Sequence, residues 1–113
     1  MLEALAHRPM TLTPAQQQLI DHVVRLARPL RVVVFGSVAR GEATPESDLD
    51  LLVVMPNGTG RRATAQRLYV DVPRRGVPFD VIVTTPALLA VQTATADLLY
   101  HAALRDGVEV YAA

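Results

Sequence analysis

Three aspartates stand in segments whose other residues are typical of buried β-strands. Asp48 and Asp50 begin the segment DLDLLVV, and Asp80 interrupts the segment FDVIV. Aspartate is depleted in strands, and burying an unpaired carboxylate costs several kcal/mol unless the group is neutralised. Because side chains alternate along a strand, Asp48 and Asp50 project from the same face, about 7 Å apart along the chain. Carboxylates in these positions indicate a binding site for a cation.

A third carboxylate joins this pair if the strand that carries Asp80 lies beside the strand that carries Asp50. Three anions at one end of a sheet repel one another strongly without a cation. A hard divalent ion removes this conflict, and Mg²⁺ prefers a few carboxylates together with phosphate and water oxygens. Two such ions, roughly 3.5–4 Å apart, could activate an attacking oxygen and stabilise a leaving pyrophosphate. The three aspartates therefore predict a Mg²⁺ site with two ions.

A phosphate-binding turn is expected at Gly36 and Ser37, directly after the first strand. Glycine lets the backbone approach a ligand closely, and Ser37 with the amides of the following turn can donate to phosphate oxygens. Arg40 can add a charge-assisted contact to the same phosphates. All basic residues are arginine, which excludes a lysine-anchored Walker loop. Such a turn fits a site in which metal ions supply most of the positive charge.

A simpler interpretation stays open for each of these signals taken singly. A Gly-Ser pair is commonly a turn, Asp48 could cap a turn, and Asp80 could sit at an exposed strand edge. The combination of a Gly-Ser turn, paired aspartates on an apolar strand and a third carboxylate on a later strand is far more specific. We therefore expect a catalytic site rather than three unrelated surface carboxylates.

Other charged and aromatic residues are weaker candidates. The Arg61–Arg62 and Arg74–Arg75 pairs could contact a triphosphate or an acidic partner, but solvated helix ends explain them better. Tyr69, Tyr100 and Tyr111 are expected as core or interface aromatics without a catalytic role.

The hydrophobic pattern predicts the elements that must position the site. A capping box at Thr13 and Gln16, with Pro14 at the first helical position, starts a helix that Pro29 ends. Apolar β-branched runs predict strands, and segments between breakers with helical spacing predict helices. In chain order we expect a helix over Pro14–Ala27, strands over Leu30–Phe35 and Asp48–Val54, a helix over Arg61–Val72, a strand over Phe79–Val83, a short helix after Pro86, a longer helix over Ala94–Arg105 and an edge strand over Val108–Tyr111.

This order of elements predicts an α/β (α+β) fold, with a small mixed sheet of three to four strands flanked by helices. The segment GSVARGEATPES between the first two strands is expected to be a turn and an irregular connection. Ala63, Leu68 and Val72 are the expected inner face of the second helix. We expect residues 1–12 to be an N-terminal lead-in and residues 13–113 to be one domain.

Composition excludes several classes of function. The chain has 113 residues, half of them hydrophobic, and eleven basic residues balance eleven acidic ones. This neutral balance argues against duplex nucleic acid as a partner. The apolar runs are far shorter than the ~20 residues of a bilayer span, the N-terminus lacks a signal-peptide pattern, and cysteine is absent. We therefore expect a cytoplasmic protein without a membrane segment.

The segment GSVARGEATPESDLDLLV resembles the signature of the polymerase-β-type nucleotidyltransferases, in which Gly-Ser is followed after ten residues by Asp-x-Asp. Ser37 and Asp48 bracket ten residues here, and the third family carboxylate finds its match at Asp80 in PFDVIV. The ARG triplet and the ending ALRDGVEVY are similar to the minimal nucleotidyltransferase branch, whose members are often antitoxins encoded with HEPN-type toxins. The resemblance covers about Val32–Tyr111, which is most of the chain.

The resemblance implies a nucleotidyltransferase fold and a role for each motif residue. It implies that Asp48, Asp50 and Asp80 ligate metal, and that Asp80 also helps to deprotonate the acceptor. It further implies that Gly36 and Ser37 hold a nucleoside triphosphate, for which ATP is the expected substrate. The chain has few residues left for an acceptor site, so the acceptor is expected on another chain, in a homo- or hetero-oligomer.

The expected function is transfer of AMP from ATP to a tyrosine hydroxyl of a cognate HEPN-type toxin, which silences that toxin. Two alternatives stay open. One is transfer to a small molecule such as an aminoglycoside, with a second protein or a dimer completing the acceptor pocket. The other is a non-catalytic antitoxin that binds its partner while the nucleotide site is idle.

Overall fold

The helices and strands occur in the predicted order. The computed structural model describes residues 10–94 and 98–113. Its elements are α1 Pro14–Ala27, β1 Arg31–Phe35, α2 Gly36–Ala39, β2 Leu49–Val54, α3 Arg61–Asp71, β3 Phe79–Thr84, α4 Pro86–Ala94, α5 Leu98–Asp106 and β4 Val108–Ala112. The predicted α/β class is confirmed, and each predicted strand boundary agrees with the structure to within one residue.

The strands of the described residues form a mixed sheet in the order β3-β2-β1-β4. Strand β1 runs antiparallel to both β2 and β4, whereas β2 and β3 are parallel. Parallel neighbours need a crossover connection, and α3 supplies it between β2 and β3. Strands β3 and β4 are therefore the two edges of the sheet, which confirms the edge position predicted for the last strand.

Helix α1 begins with the predicted capping box. The Thr13 hydroxyl accepts a hydrogen bond from the Gln16 N–H at 3.1 Å, and the Gln16 side chain accepts one from the Thr13 N–H at 2.9 Å. The helix ends where Arg28 takes a left-handed conformation with φ 49°. Between these ends, Leu19, Ile20 and Val23 are buried against the sheet.

The two faces of the sheet carry cores of different size. We call the side covered by α1 and α3 the first face; along β2 it receives Leu49, Leu51 and Val53. The opposite side is the second face, where Leu52 and Val54 pack with Tyr100 and Ala103 of α5. Counted over the residues that the structure describes, the core on the first face is the larger of the two. Residues alternate between the faces, so the face of every strand residue follows from its position along the strand.

Two local predictions were wrong. The connection after β1 contains the helical turn α2, because Val38 and Ala39 bury their side chains there at 2% and 6% exposure. Ala63 is exposed, whereas Ala65 packs beside Leu68. Positions 65 and 68 are three residues apart on one helix face, whereas 63 and 68 are five apart and point in different directions.

Parts of two predictions fall outside the described residues. Most of the predicted lead-in lies in residues 1–9, and the start of the predicted last helix falls at residues 95–97. Among the helices that the structure describes, none has both the length and the apolar character that a bilayer span requires.

The first prediction concerns β2, one of the two inner strands of the sheet. Leu51 is fully buried at 0% exposure, so Leu51→Ala should lower the free energy of unfolding by about 2–5 kcal/mol through lost burial and a residual cavity. Val70 on α3 is 81% exposed, and Val70→Ala should change that free energy by no more than about 0.5 kcal/mol. Urea unfolding of both variants measures the difference. Equal effects would contradict the proposed core.

Candidate functional site

The pairing of β2 with β3 brings two of the predicted site residues side by side. Asp50 and Asp80 are direct register partners in the two parallel strands. Neighbouring strands lie about 4.7–4.9 Å apart, so both side chains leave the sheet at nearly the same point. The expectation that the Asp80 strand lies beside the Asp50 strand is therefore confirmed. Asp48 is exposed and stands one residue before β2 begins.

Both paired aspartates project toward the second face. Leu49, Leu51 and Val53 belong to the core of the first face, so Asp50 between them points the other way. Phe79 and Val81 likewise leave Asp80 on the second face. Of the residues that the structure describes, Phe35 and Leu52 belong to the smaller core of that face, whereas Asp50 is half-buried and Asp80 is exposed. The carboxylates therefore lie at an open end of the sheet, where a ligand can approach.

Gly36 lies in direct contact with the Asp50 carboxylate. Phe35, the last residue of β1, is the register partner of Asp50, and Gly36 follows it with a φ of +76°. A β-carbon built at Gly36 would overlap the Asp50 Oδ2 atom. Position 36 therefore favours glycine for two reasons, since L side chains rarely adopt this φ and no space remains for one.

Ser37 and Arg40 follow Gly36, in the helical turn α2 and at its end. Ser37 is partly exposed in the first turn of α2, and its carbonyl accepts the Glu42 N–H at 2.9 Å. Arg40 is exposed, and its Nε donates to Glu42 Oε1 at 2.7 Å. The predicted phosphate-contacting guanidinium thus stands near the aspartates, paired with a glutamate that the sequence analysis did not single out.

The electrostatic environment of Asp50 reflects this crowding. Partial burial raises the pKa of the Asp50 carboxyl above its ordinary 3.8, and the negative charges of Asp80 and then Asp48 raise it further. The positive charge of Arg40 opposes the rise. Like charges that perturb one another in this way are typical of functional sites. The three aspartates therefore form one electrostatic cluster.

A hard divalent cation fits this cluster by the chemistry of its donors. Asp48, Asp50 and Asp80 offer only carboxylate oxygens, which Mg²⁺ prefers, and their charges oppose one another without it. Within residues 10–94 and 98–113, no three carboxylate, imidazole or thiolate side chains already stand together as a metal-binding group. Asp50 and Asp80 are the two carboxylates that the sheet register places side by side.

Tyr69 reaches the cluster although the sequence analysis gave it no role there. Its hydroxyl lies 3.4 Å from Asp80 Oδ1 and accepts the Val81 N–H at 2.8 Å. The sequence carries one indirect signal for this contact. Tyr69 follows the buried Leu68 in the last turn of the crossover helix, and that turn precedes the strand of Asp80.

The two arginine pairs lie at different ends of the sheet. Arg61 and Arg62 are exposed at the start of α3, which follows the end of β2 remote from Asp50. Arg74 and Arg75 are exposed in the loop that leads into β3, at the same end as Asp80. All four arginines are exposed, as the predicted solvated positions require, but the Arg74 guanidinium also lies over the rings of Tyr69 and Phe79.

Comparison with known proteins gives a consistent family signal. A family model described as "Nucleotidyltransferase domain" matches residues 17–101. The bifunctional uridylyltransferase/uridylyl-removing enzyme of Streptomyces coelicolor is 38% identical over 79 residues, which are 68% of this chain. This chain spans only 9% of the length of that enzyme.

Solved structures resemble the fold over most of the chain. A protein described as a minimal nucleotidyltransferase is 35% identical, with a TM-score of 0.53 over 78% of this chain and 85% of that one. A toxin–antitoxin crystal structure with AMP-PNP has a TM-score of 0.57 at 19% identity, over 86% of this chain and 73% of that one. At that identity the second likeness concerns the fold alone.

The second prediction follows from the raised pKa of Asp50. The fold disfavours the ionised form of the Asp50 carboxyl. The protein is therefore most stable while Asp50 is protonated, and it loses stability as pH rises from 3.8 through the raised pKa and the group ionises. Asp50→Asn removes that loss and should raise the Tm at pH 7, by an amount that shrinks as pH falls through the raised pKa toward 3.8. Thermal unfolding across this pH range measures the effect.

Glu46→Gln is the matched control, because it neutralises an exposed carboxyl in the loop before β2. It should produce no comparable rise in Tm. A lower Tm for Asp50→Asn at pH 7, or a gain that does not depend on pH, would contradict the electrostatic cluster.

Proposed function

The chain belongs to the nucleotidyltransferase domain family, and from this premise we propose that it transfers AMP from ATP to a tyrosine hydroxyl of a cognate HEPN-type toxin. The pairing of Asp50 with Asp80 beside Gly36 carries the proposal, because it gathers carboxylates at an open end of the sheet. A toxin–antitoxin structure with AMP-PNP shares the fold and motivates the choice of a toxin partner and of ATP, whereas the HEPN class of the toxin comes from the sequence resemblance alone. In this proposal the protein acts as the antitoxin.

Asp48, Asp50 and Asp80 would hold Mg²⁺ in this mechanism. Once bound, two Mg²⁺ ions would neutralise the phosphate charge and polarise the reacting oxygens. Gly36 lets the triphosphate approach the Asp50 end of the sheet closely, and Ser37 donates to its oxygens. Arg40 can exchange its contact with Glu42 for a phosphate oxygen, since its side chain is exposed and can reorient.

The reaction breaks a phosphoanhydride bond of ATP and forms a phosphodiester bond to the acceptor. The tyrosine oxygen of the acceptor attacks the α-phosphorus of ATP, and the bond from that phosphorus to the bridging oxygen breaks. Asp80 accepts the hydroxyl proton, and pyrophosphate leaves with the electron pair of the broken bond. Positioning of the two reactants and stabilisation of charge supply most of the catalysis.

Three alternatives remain as outcomes of the same experiment: another nucleotide, another acceptor, and binding without transfer. The uridylyltransferase similarity leaves UTP as an alternative nucleotide, although this chain covers only 9% of that enzyme. Transfer to a small molecule such as an aminoglycoside, or stoichiometric binding without transfer, would use the same fold differently. The alternatives differ in the nucleotide from which the label comes, in the molecule that receives it, or in whether any label is transferred.

The third prediction tests transfer directly. The protein is incubated with Mg²⁺, α-labelled ATP or UTP, and the protein encoded beside it. Label from ATP on a tyrosine of that neighbour is the expected result. Label on an added aminoglycoside supports the small-molecule acceptor, and binding of the neighbour without any label supports the non-catalytic antitoxin. Preferential labelling from UTP would replace AMP by UMP in the proposal.

The aspartate variants link this activity to the site. Asp48→Asn with Asp50→Asn should lower the transfer rate more than about 100-fold, because charge stabilisation of this kind is commonly worth that much. Asp21→Asn with Asp71→Asn removes the same charge from exposed positions on α1 and α3, and should leave the rate unchanged. Circular dichroism checks that both double variants are folded. Full activity of the first would exclude the proposed metal site.

The fourth prediction compares two glycines of similar conformation. Gly36 and Gly58 have φ values of +76° and +88°, but an added β-carbon meets Asp50 at position 36 and open space at position 58. Both alanine variants should lose about 1–2 kcal/mol of unfolding free energy to backbone strain. Only Gly36→Ala should also displace the Asp50 carboxylate.

Ligand-induced stabilisation separates these two effects. A non-hydrolysable ATP analogue with Mg²⁺ should raise the Tm of the wild type and of Gly58→Ala, since a ligand at 100 times its Kd stabilises by about 2.7 kcal/mol. The same ligand should leave the Tm of Gly36→Ala nearly unchanged. A full shift in Gly36→Ala would mean that nucleotide and metal bind elsewhere.

A further inference from the structure

The hydroxyl of Tyr69 bridges the edge of the sheet and the Asp80 carboxylate. Strand β3 has β2 on one side only, so the N–H of Val81 that points away from β2 needs another acceptor. The Tyr69 oxygen accepts that N–H at 2.8 Å and lies 3.4 Å from Asp80 Oδ1. A side chain of α3, which covers the first face, thereby reaches around the edge strand to the site on the second face.

The position of the tyrosine ring is set by its neighbours. Tyr69 stacks on Phe79, with ring centroids 5.4 Å apart and an interplanar angle of 26°. The Arg74 guanidinium lies over both rings, 5.3 Å from the Phe79 centroid and 6.0 Å from the Tyr69 centroid. Phe79 is only 4% exposed, so the base of this stack is anchored in the core. The hydroxyl therefore has little freedom to move away from Asp80.

The Tyr69 hydroxyl accepts one hydrogen bond and donates another. A tyrosine hydroxyl has one proton and can accept through its oxygen lone pairs. Because the oxygen already accepts from the Val81 N–H, its proton is available to the Asp80 carboxylate, which can only accept when ionised. The carboxylate is thus held through Oδ1, and Oδ2 is left for other partners.

We propose that Tyr69 is a positioning residue for Asp80, whose hydroxyl orients the carboxylate so that its second oxygen faces the reacting groups. The inference rests on the proposed function, because it assigns Asp80 a role in transfer. An exposed aspartate on an edge strand otherwise samples several rotamers. Tyr69 contacts neither nucleotide nor acceptor in this proposal, so it acts only through Asp80.

Tyr69→Phe is the decisive variant, because it keeps the ring stack and removes only the hydroxyl. In the protein alone, the ¹³C resonance of the Asp80 carboxyl carbon should move in Tyr69→Phe, since the hydrogen bond is lost. In the transfer assay, kcat should fall about tenfold, as is common when a partner that orients a ligating carboxylate is removed. The KM for the nucleotide should not change, because Gly36 and Ser37 lie across the site.

Tyr111→Phe is the matched control, because it removes a hydroxyl from the opposite edge strand β4. It should alter neither the Asp80 resonance nor kcat. An unmoved Asp80 resonance in Tyr69→Phe would overturn the proposal, and so would an unchanged kcat or an equal loss in both control and variant. A rise in KM that accounts for the whole loss would also overturn it, by indicating a general structural role.

The two readouts separate this inference from the proposed function. A wild-type protein that transfers no nucleotide would refute the function, whereas the Asp80 resonance would still decide whether Tyr69 orients that carboxylate. A wild-type protein that transfers AMP, together with a fully active Tyr69→Phe, would refute the inference alone.

Discussion

The parallel pairing of β2 with β3 is the interaction on which the candidate site depends. It places Asp50 directly beside Asp80, although two like charges at this distance oppose the pairing. The apolar residues of the strands hold the register, because Phe79, Val81 and Val83 are buried on the first face. A slip of one residue would turn these side chains toward the second face and Asp80 into the core. Hydrophobic burial on one face therefore keeps the carboxylates together on the other.

The repulsion between Asp48, Asp50 and Asp80 destabilises the fold at one end of an otherwise apolar sheet. Partial burial and neighbouring charges raise the pKa of Asp50, and Gly36 allows the backbone to lie against its carboxylate. Local arrangements that oppose stability are expected where a protein binds or transforms a ligand. A divalent cation would remove the repulsion, so the same charges that destabilise the fold favour the binding of a cation.

The main hydrophobic core lies on one face of the sheet, and the candidate site lies on the other. Helices α1 and α3 cover the larger core, while the second face leaves the aspartates open beyond the smaller one. Tyr69 connects the two sides, because it lies on α3 and reaches Asp80 around the edge of β3. Among the described residues the second face is covered only in part, and its uncovered end is where we propose that nucleotide and acceptor bind.

The sequence by itself determined the fold class, the residues of the aspartate cluster and the order of the elements other than the helical turn α2. Strand alternation, the Thr13 capping box and the Gly-Ser to Asp-x-Asp spacing are local properties, and local patterns can be read without coordinates. The adjacency of Asp80 to Asp50, the contact of Gly36 with the Asp50 carboxylate and the reach of Tyr69 around β3 were decided only by the tertiary structure. These contacts join segments far apart in the chain, and their distances depend on strand order and packing, which no local pattern encodes.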